Sequence, residues 1–504
     1  MAGKRKRETD SSTSKSVTNG SALSKPAPNG DPKSSKVPKT HGHIDVKTTA
    51  PVIQIIAGSY ERVLHGVTAS ISNLSASDST AAVQFADTFL FNAHASAVRC
   101  LALSPLPEPG LSDAQGVYLA TGGSDEKINV YSLAVSPVSE NDKIPMPTLG
   151  NNTISENPRN RELGTLLQHS SNITCLYFPT RSKLLAGSED NTISVTRLRD
   201  LEVVSTIKAP RPKVQGQPSG DTAPPGATPA GINDFAVHPS MKLMVSVGRG
   251  ERCMRLWNLV TGKKAGVLNF SRDILQSVKE GKYSSGEGRR IQWSPDGSEF
   301  AVSFERGAVV FGEDSKPRCK ILPQPLTKLH QICYLTLTAA SDEKVTLLAA
   351  STEDGRVVFY GPSNATSTTN GEKSNDGAIP DAICYASIGG TSAGISTRIK
   401  DFEIILLPNN ASPAARDMII VAASSDGTIR LIHVPTPELM DATKSLKPVQ
   451  LGKVIGIYAT SSRITCMKAF LMQPPTEMED DMEDDEEEFG GFDSSSEESS
   501  GDSS

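Results

Sequence analysis

The sequence is short of rings, of paired cysteines and of long apolar runs. Only 5% of its 504 residues are Phe, Trp or Tyr, and two are Trp. That leaves little material for the aromatic platforms on which unpaired bases stack. The seven cysteines stand singly, with no CxxC, which points to a reducing compartment rather than a disulfide framework. The eight histidines lack metal-ligand spacing. There is no GxGxxG or GxxxxGK[ST] loop to cradle a phosphate, and SAGIS at 392–396 is no nucleophile elbow. We therefore expect no enzyme activity, no bound metal and no cofactor. No apolar run approaches the roughly 20 residues of a membrane helix. The opening MAGKRKRETD lacks the apolar stretch of a secretory signal, so no membrane partner is expected.

What is present is segregated charge. Residues 1–50 hold 10 Lys/Arg against 4 Asp/Glu, and residues 476–504 hold 14 Asp/Glu and no Lys/Arg. The span 51–475 between them comes to +2. Three parts follow: a disordered basic tail (1–50), a folded body (51–475) and a disordered acidic tail (476–504). Lys4, Arg5, Lys6 and Arg7 form a compact basic cluster of the kind an import receptor reads. In the acidic tail, Ser494 and Ser495 each precede a Glu by three residues, Glu497 and Glu498. That spacing suits an acid-directed kinase, and each phosphate would add about −1.5 to −2 charges.

The body repeats itself. GSDEKINVY (123–131) returns as GSEDNTISV (187–195), STEDGRVVFY (351–360) and SSDGTIRLI (424–432), with a looser echo in RGERCMRLWNL (249–259). Around each copy lie three short apolar runs, the third alternating after an Asp turn. Period-2 alternation between Gly, Asp, Pro and Ser turns means antiparallel strands. Six such units run from 92 to 434, separated by polar or Gly/Pro-rich stretches at 134–162, 210–230, 271–288 and 361–395. Small sheets of this kind cannot bury both faces alone and pack radially into a propeller. The ends supply a seventh: SSRITCMKAF (461–470) reads as a lone first strand that closes the ring against residues 51–94. The expected fold is an all-β, seven-bladed propeller. Cys100, Cys175, Cys333 and Cys466 all fall in first strands and read as small buried hydrophobes. His94 and His169 precede the turn residues Asp125 and Asp190, and these two pairs read as structural locks.

The units look like WD40 repeats, although only MRLWNL, with Trp257, keeps the terminal Trp. The body as a whole resembles the WD-repeat family of the p21-activated kinase-interacting protein and its fungal maintenance-of-killer counterpart. The matching phrases include IIAGSYERVLHG (55–66), YLATGGSDEKINVY (118–131), KLLAGSEDNTISV (183–195), MRLWNLVTGKKAG (254–266) and VAASSDGTIRLIHV (421–434), in order from about 52 to 470. AGSYERVLHG is the most telling, because general WD repeats lack it. The resemblance implies a nuclear, largely nucleolar, non-catalytic scaffold in assembly of the large (60S) ribosomal subunit. Its implied partners are pre-60S assembly factors and ribosomal proteins, with precursor rRNA met indirectly. It also implies an alternative, a signalling adaptor that restrains a p21-activated kinase. A third reading, a chromatin or histone-binding adaptor, follows from the acidic tail. Family members often end in a lysine-rich tail, whereas this chain ends in an acidic one, which puts RNA contact through that tail in doubt.

A propeller is a stiff disc with loops on two faces, suited to protein docking. The candidate contact residues are charged groups near the loops: Arg99, Arg249, Arg252, Arg398, Lys400 and Asp401. RIKDFEI (398–404) stands out, since its charges interrupt a strand onset. The near-neutral body lacks the clustered Lys/Arg of a strong counterion-release interaction, and KAPRPKVQGQ (208–217) is only a locally basic loop.

Overall fold

The computed structural model describes residues 50–72, 83–108, 116–138, 156–210, 230–281, 284–338, 344–362, 378–407, 417–445 and 447–474. Lys4, Arg5, Lys6, Arg7, Ser494 and Ser495 lie outside these residues. The chain opens with β1 (Val52–Ser59), β2 (Val63–Ile71) and β3 (Val83–Asn92). Blade 1 is β4 (Val98–Leu103), β5 (Val117–Gly123), β6 (Ile128–Leu133) and β7 (Arg161–Leu166). Blade 2 is β8 (Ile173–Thr180), β9 (Lys183–Ser188), β10 (Thr192–Arg197) and β11 (Glu202–Lys208). Blade 3 is β12 (Ile232–Val237), β13 (Leu243–Gly248), β14 (Cys253–Asn258) and β15 (Lys263–Asn269). After helix α1 (Arg272–Ser277), blade 4 is β16 (Arg290–Trp293), β17 (Glu299–Ser303), β18 (Ala308–Gly312) and β19 (Pro317–Ile321). Blade 5 contains β20 (Leu329–Thr338), β21 (Lys344–Thr352), β22 (Arg356–Gly361) and β23 (Ile383–Gly389). Blade 6 takes β24 (Ile399–Leu406), β25 (Asp417–Ser424) and β26 (Thr428–Pro435). Helix α2 (Thr436–Thr443) and β27 (Val449–Leu451) then precede its outer strand, β28 (Lys453–Ala459). The last strand is β29 (Ile464–Leu471).

Blade 7 closes the ring. Its order is β29-β1-β2-β3, with β29 antiparallel to β1 from Ile53↔Leu471 to Ser59↔Ile464. The C-terminal strand is thus the innermost strand of a blade whose other three come from the N-terminal end of the body, as the sequence leads one to expect. Each sheet therefore has neighbours on both sides.

The core explains why no blade stands alone. The apolar side chains gather into seven clusters, and each draws on two adjacent blades, from blades 1 and 2 around to blades 7 and 1. The alternation read in the sequence sends successive residues to opposite faces of a strand, and both faces of a blade are covered. Burying one such Ile, Leu, Val or Phe contributes about 1.5–3 kcal/mol.

The repeated phrase is the hairpin between the second and third strands. Its tight turn needs a residue of positive φ, supplied by Glu126, Asn191, Gly250, Gly355, Gly427 and Arg62 in six blades (φ 67, 66, 72, 81, 86 and 75°). Asn or Gly, which take this conformation at least cost, fills four of the six positions, while Glu126 and Arg62 hold the other two. At Gly427 the demand is also steric, since a Cβ there would lie 2.5 Å from the Ser462 carbonyl oxygen.

Three features depart from the sequence reading, the first being that 361–395, read as a polar interruption, holds β23, the fourth strand of blade 5. The stretch 271–288, read as a polar interruption, contains α1, started by Ser271 Oγ accepting from the Ile274 amide at 3.3 Å. Its Ile274 and Leu275, with Val278, join the cluster between blades 3 and 4. Blade 5 gains a fifth strand, β27, parallel to β23 and delivered by α2 from the blade 6 connection. No described helix is long and apolar enough to cross a membrane.

Candidate protein-docking face

The hairpin turns between second and third strands open on one face, and the chain enters each inner strand from that same face. We call it the turn face. Six of the seven inner strands change register just inside it. The ladder skips Arg99, Thr174, Asn233, Lys400 and Thr465 in β4, β8, β12, β24 and β29, and the pair His330–Gln331 in β20. A bulge frees backbone groups and re-aims side chains. Here it sets these residues around the mouth of the central channel.

The freed backbone groups are taken up between blades. Asp401 Oδ2 accepts from the Met467 amide (3.0 Å) and Oδ1 from the Phe402 amide (3.0 Å). Asp234 Oδ2 accepts from the Ile291 amide (3.0 Å). Asn233 Nδ2 donates to the Gly288 carbonyl (2.9 Å), and Thr465 Oγ1 to the Val98 carbonyl (2.6 Å). Asp401 thus ties blade 6 to blade 7, and both of its oxygens are committed to backbone. Deeper in, Lys468 of β29 pairs with Glu403 of β24. The Lys468 ammonium loses hydration by burial, but Glu403 and Asp401 outweigh that and hold it above its usual range. Below the mouth lies a cavity of about 700 Å3 lined by Gln292, Cys333, Glu403 and Lys468, among others.

Outward from the mouth, the turns are locked by side chains. His94 Nδ1 lies 3.0 Å from Asp125 Oδ1, and its Nε2 lies 2.8 Å from Thr121 Oγ1. His169 Nδ1 lies 3.0 Å from Asp190 Oδ2, and its Nε2 lies 2.8 Å from Ser194 Oγ. Each aspartate also accepts a backbone N–H from the incoming loop, Ala95 at 2.9 Å and Ser170 at 3.2 Å. Burial alone would raise the Asp190 carboxyl, yet hydrogen bonds from His169 and Thr192 hold it well below the usual carboxylate range. Burial lowers His94 despite Asp125 beside it.

Blades 3, 5 and 6 use an arginine instead, which the sequence reading missed. Arg255 forks onto Glu251, with Nη2 donating to Oε1 at 2.5 Å, and both side chains are buried. Arg356 Nε donates to Asp354 Oδ2 (2.9 Å), and Arg430 Nη2 lies 3.7 Å from Asp426 Oδ2. The signal was an Arg two or four residues after the turn acid. In blade 3 Trp257 Nε1 also donates to Ser246 Oγ at 2.8 Å.

All six candidate contact residues lie on or near the turn face, but in two groups. Arg99 and Arg249 converge on Glu189, at 3.5 and 3.3 Å. Arg252 is exposed and donates to the Ser285 and Ser284 carbonyls (2.9 and 3.1 Å). On the other side, Arg398 Nε donates to Ser425 Oγ (3.1 Å) and its guanidinium lies 3.8 Å from Glu353. Lys400 sits beside it at the mouth, its ammonium pushed down by burial and then by Arg398, Arg463 and Arg290. The cysteines Cys100, Cys175, Cys333 and Cys466 all lie in inner strands and are free thiols, their pKa values raised by burial. Among the described residues no group of three or more His, Cys, Asp or Glu is placed to hold a metal ion.

Comparison with known proteins agrees with this architecture. The model of the WD domain, G-beta repeat, matches residues 160–196, which run from β7 through most of β10. The chain is 23% identical over 424 residues to the p21-activated protein kinase-interacting protein 1-like of Xenopus laevis, covering 83% of this chain and 82% of that one. It is 26% identical over 368 residues to Protein MAK11 of Saccharomyces cerevisiae, covering 69% and 72%. It is 24% identical over 313 residues to Shk1 kinase-binding protein 15 of Schizosaccharomyces pombe, covering 61% and 68%. The fold is that of a WD-repeat β-propeller, and these proteins are its relatives at low identity.

Proposed function

We propose that this chain is a non-catalytic scaffold in nucleolar assembly of the large ribosomal subunit, docking assembly factors or ribosomal proteins on pre-ribosomal particles. The observation that carries the reading is the turn face. Its charged side chains are ordered by locks and inter-blade hydrogen bonds around one mouth, a rigid surface on which a partner loses little further entropy. The similarity to Protein MAK11 over 368 residues, and the family resemblance in the sequence, support the ribosomal assignment. Lys4, Arg5, Lys6 and Arg7 support nuclear entry through an import receptor. With the span 51–475 near neutral, precursor rRNA is met through bound proteins rather than directly.

The relatives' names favour a second reading. Two of them are named for binding kinases, and on that reading the same face restrains a p21-activated kinase. Affinity purification of the intact protein from its own cells, at moderate salt, separates the two. Large-subunit assembly factors together with precursor rRNA support the scaffold. A kinase without pre-ribosomal material overturns it in favour of the adaptor. Histones without either favour a chromatin role.

A further inference from the structure

We propose that the cationic arc at the turn-face mouth, built from Arg290, His330, Arg398, Lys400 and Arg463, is a docking site for a carboxylate of an extended acidic peptide segment on a partner protein. The proposal rests on the docking reading of this chain. Its test reads the site alone, so it fails separately from the ribosomal role.

Topology gathers these residues. Arg290 opens β16, His330 is the second residue of β20, Lys400 is the bulged residue of β24, and Arg463 immediately precedes β29. Four consecutive inner strands thus bring cations to one mouth. Their neighbours neutralise them only in part, and the Lys400 ammonium stays pushed down by burial and by Arg398, Arg463 and Arg290. Glu305 is held by Lys328 at 2.9 Å and Arg289 at 3.6 Å. Glu353 meets Arg398 only at 3.8 Å. Asp234 and Asp401 accept backbone amides and also hold the buried Arg290 guanidinium charged against the cost of burial, so the charge left uncompensated lies toward Arg398, Lys400 and Arg463. Among the described residues, neither Arg290, Lys400 nor Arg463 has a carboxylate within ion-pair distance.

His330 supplies an independent observation. Its Nε2 is buried and has no hydrogen-bond partner. Burial, then Lys400, Arg398, Arg289 and Arg290, bring its pKa down to about 4, so the ring is neutral at physiological pH. Buried polar atoms and clustered like charges are normally satisfied. In the tautomer with its proton on Nε2, a carboxylate entering the arc supplies the missing acceptor and the counter-charge in one step, through charge-assisted hydrogen bonds.

The surrounding ring selects the form of the ligand. Every one of the seven hairpin turns carries a carboxylate, from Asp125 in blade 1 to Glu61 in blade 7. A nucleic acid lying across this face, with a phosphate at every step, would meet the turn carboxylates that face a histidine rather than an arginine, Asp125 and Asp190. A single acidic side chain on an extended peptide reaches the centre and avoids them. Partly buried cations also favour a small anion over a broad polyanionic surface.

The test is fluorescence anisotropy on the full chain, with a fluorescein-labelled Gly-Ser peptide carrying one central Glu, its Gln-for-Glu counterpart and a labelled oligouridylate. The Glu peptide should bind and the Gln peptide should not. Arg398→Glu with Lys400→Glu should weaken the Glu peptide by about tenfold or more. Lys263→Glu with Lys264→Glu, the same charge change on the exposed outer strand β15, should leave it unchanged. Lys400→Gln should weaken binding several-fold in a chain whose melting matches wild type, which guards against a misfolded double variant. Equal binding of Glu and Gln peptides overturns the proposal, as does equal loss in both double variants. Oligouridylate binding that depends on Arg398 and Lys400, without peptide binding, would assign the mouth to RNA instead.

Discussion

Replacing Asp190 by alanine isolates the lock of blade 2. The carboxylate serves His169 Nδ1 (3.0 Å), the Ser170 amide (3.2 Å) and the Thr192 amide (2.8 Å). Its side chain is 10% exposed, so water replaces little of this. A stranded buried donor costs about 1–3 kcal/mol, and three coupled ones do not simply add. We expect Asp190→Ala to lose roughly 2–3 kcal/mol in urea unfolding. With about 2.1 cal/mol/K of unfolding entropy per residue, that is a fall of about 2–4 °C in Tm for a body of this size. His169→Ala alone should cost less, and the double variant should show a coupling of about 1 kcal/mol. The pH dependence has a defined sign. The folded-state pKa of Asp190 is depressed, so its contribution is complete above the ordinary Asp pKa of about 3.9. It is lost as pH falls through the folded value, so the gap between wild type and Asp190→Ala should narrow below about pH 4. A loss under about 0.5 kcal/mol, or strict additivity with His169→Ala, would refute the lock.

Further outcomes follow from the same structure. Deleting residues 461–504 removes β29 and leaves β1 an unpaired edge, so the protein should aggregate. Deleting 475–504 should leave the circular-dichroism melt unchanged. Gly427→Ala, at φ 86° and facing the Ser462 carbonyl, should cost about 1–3 kcal/mol. Gly394→Ala, at φ 74° with open space, should cost only about 1 kcal/mol, both read by urea unfolding. Arg255→Met strands the buried Glu251 and should cost about 3–5 kcal/mol, with much of it recovered on adding Glu251→Gln.

Ring closure was legible because ITCMKAF repeats the pattern of ITCLYF without strands to follow it. The His–Asp locks were legible because histidine and aspartate keep their places relative to the strands. The arginine locks were not, since an Arg in an alternating strand reads as ordinary surface until Glu251 is seen buried beside it. Helix α1 was hidden in a segment too short for a periodic signal. Asp401 looked like a surface charge at a strand onset. The bulge that turns it toward the Met467 amide of the next blade depends on two strands 66 residues apart, which no local pattern records. The same bulges explain why Lys400 and its neighbours face the mouth.

Sedimentation of the native protein through a sucrose gradient tests the central claim most directly. The account predicts that wild type travels with pre-60S particles. It also predicts that the variant with Arg398→Glu and Lys400→Glu, correctly folded, shifts to the light fractions. Wild type confined to the light fractions, apart from precursor rRNA, would contradict the scaffold role.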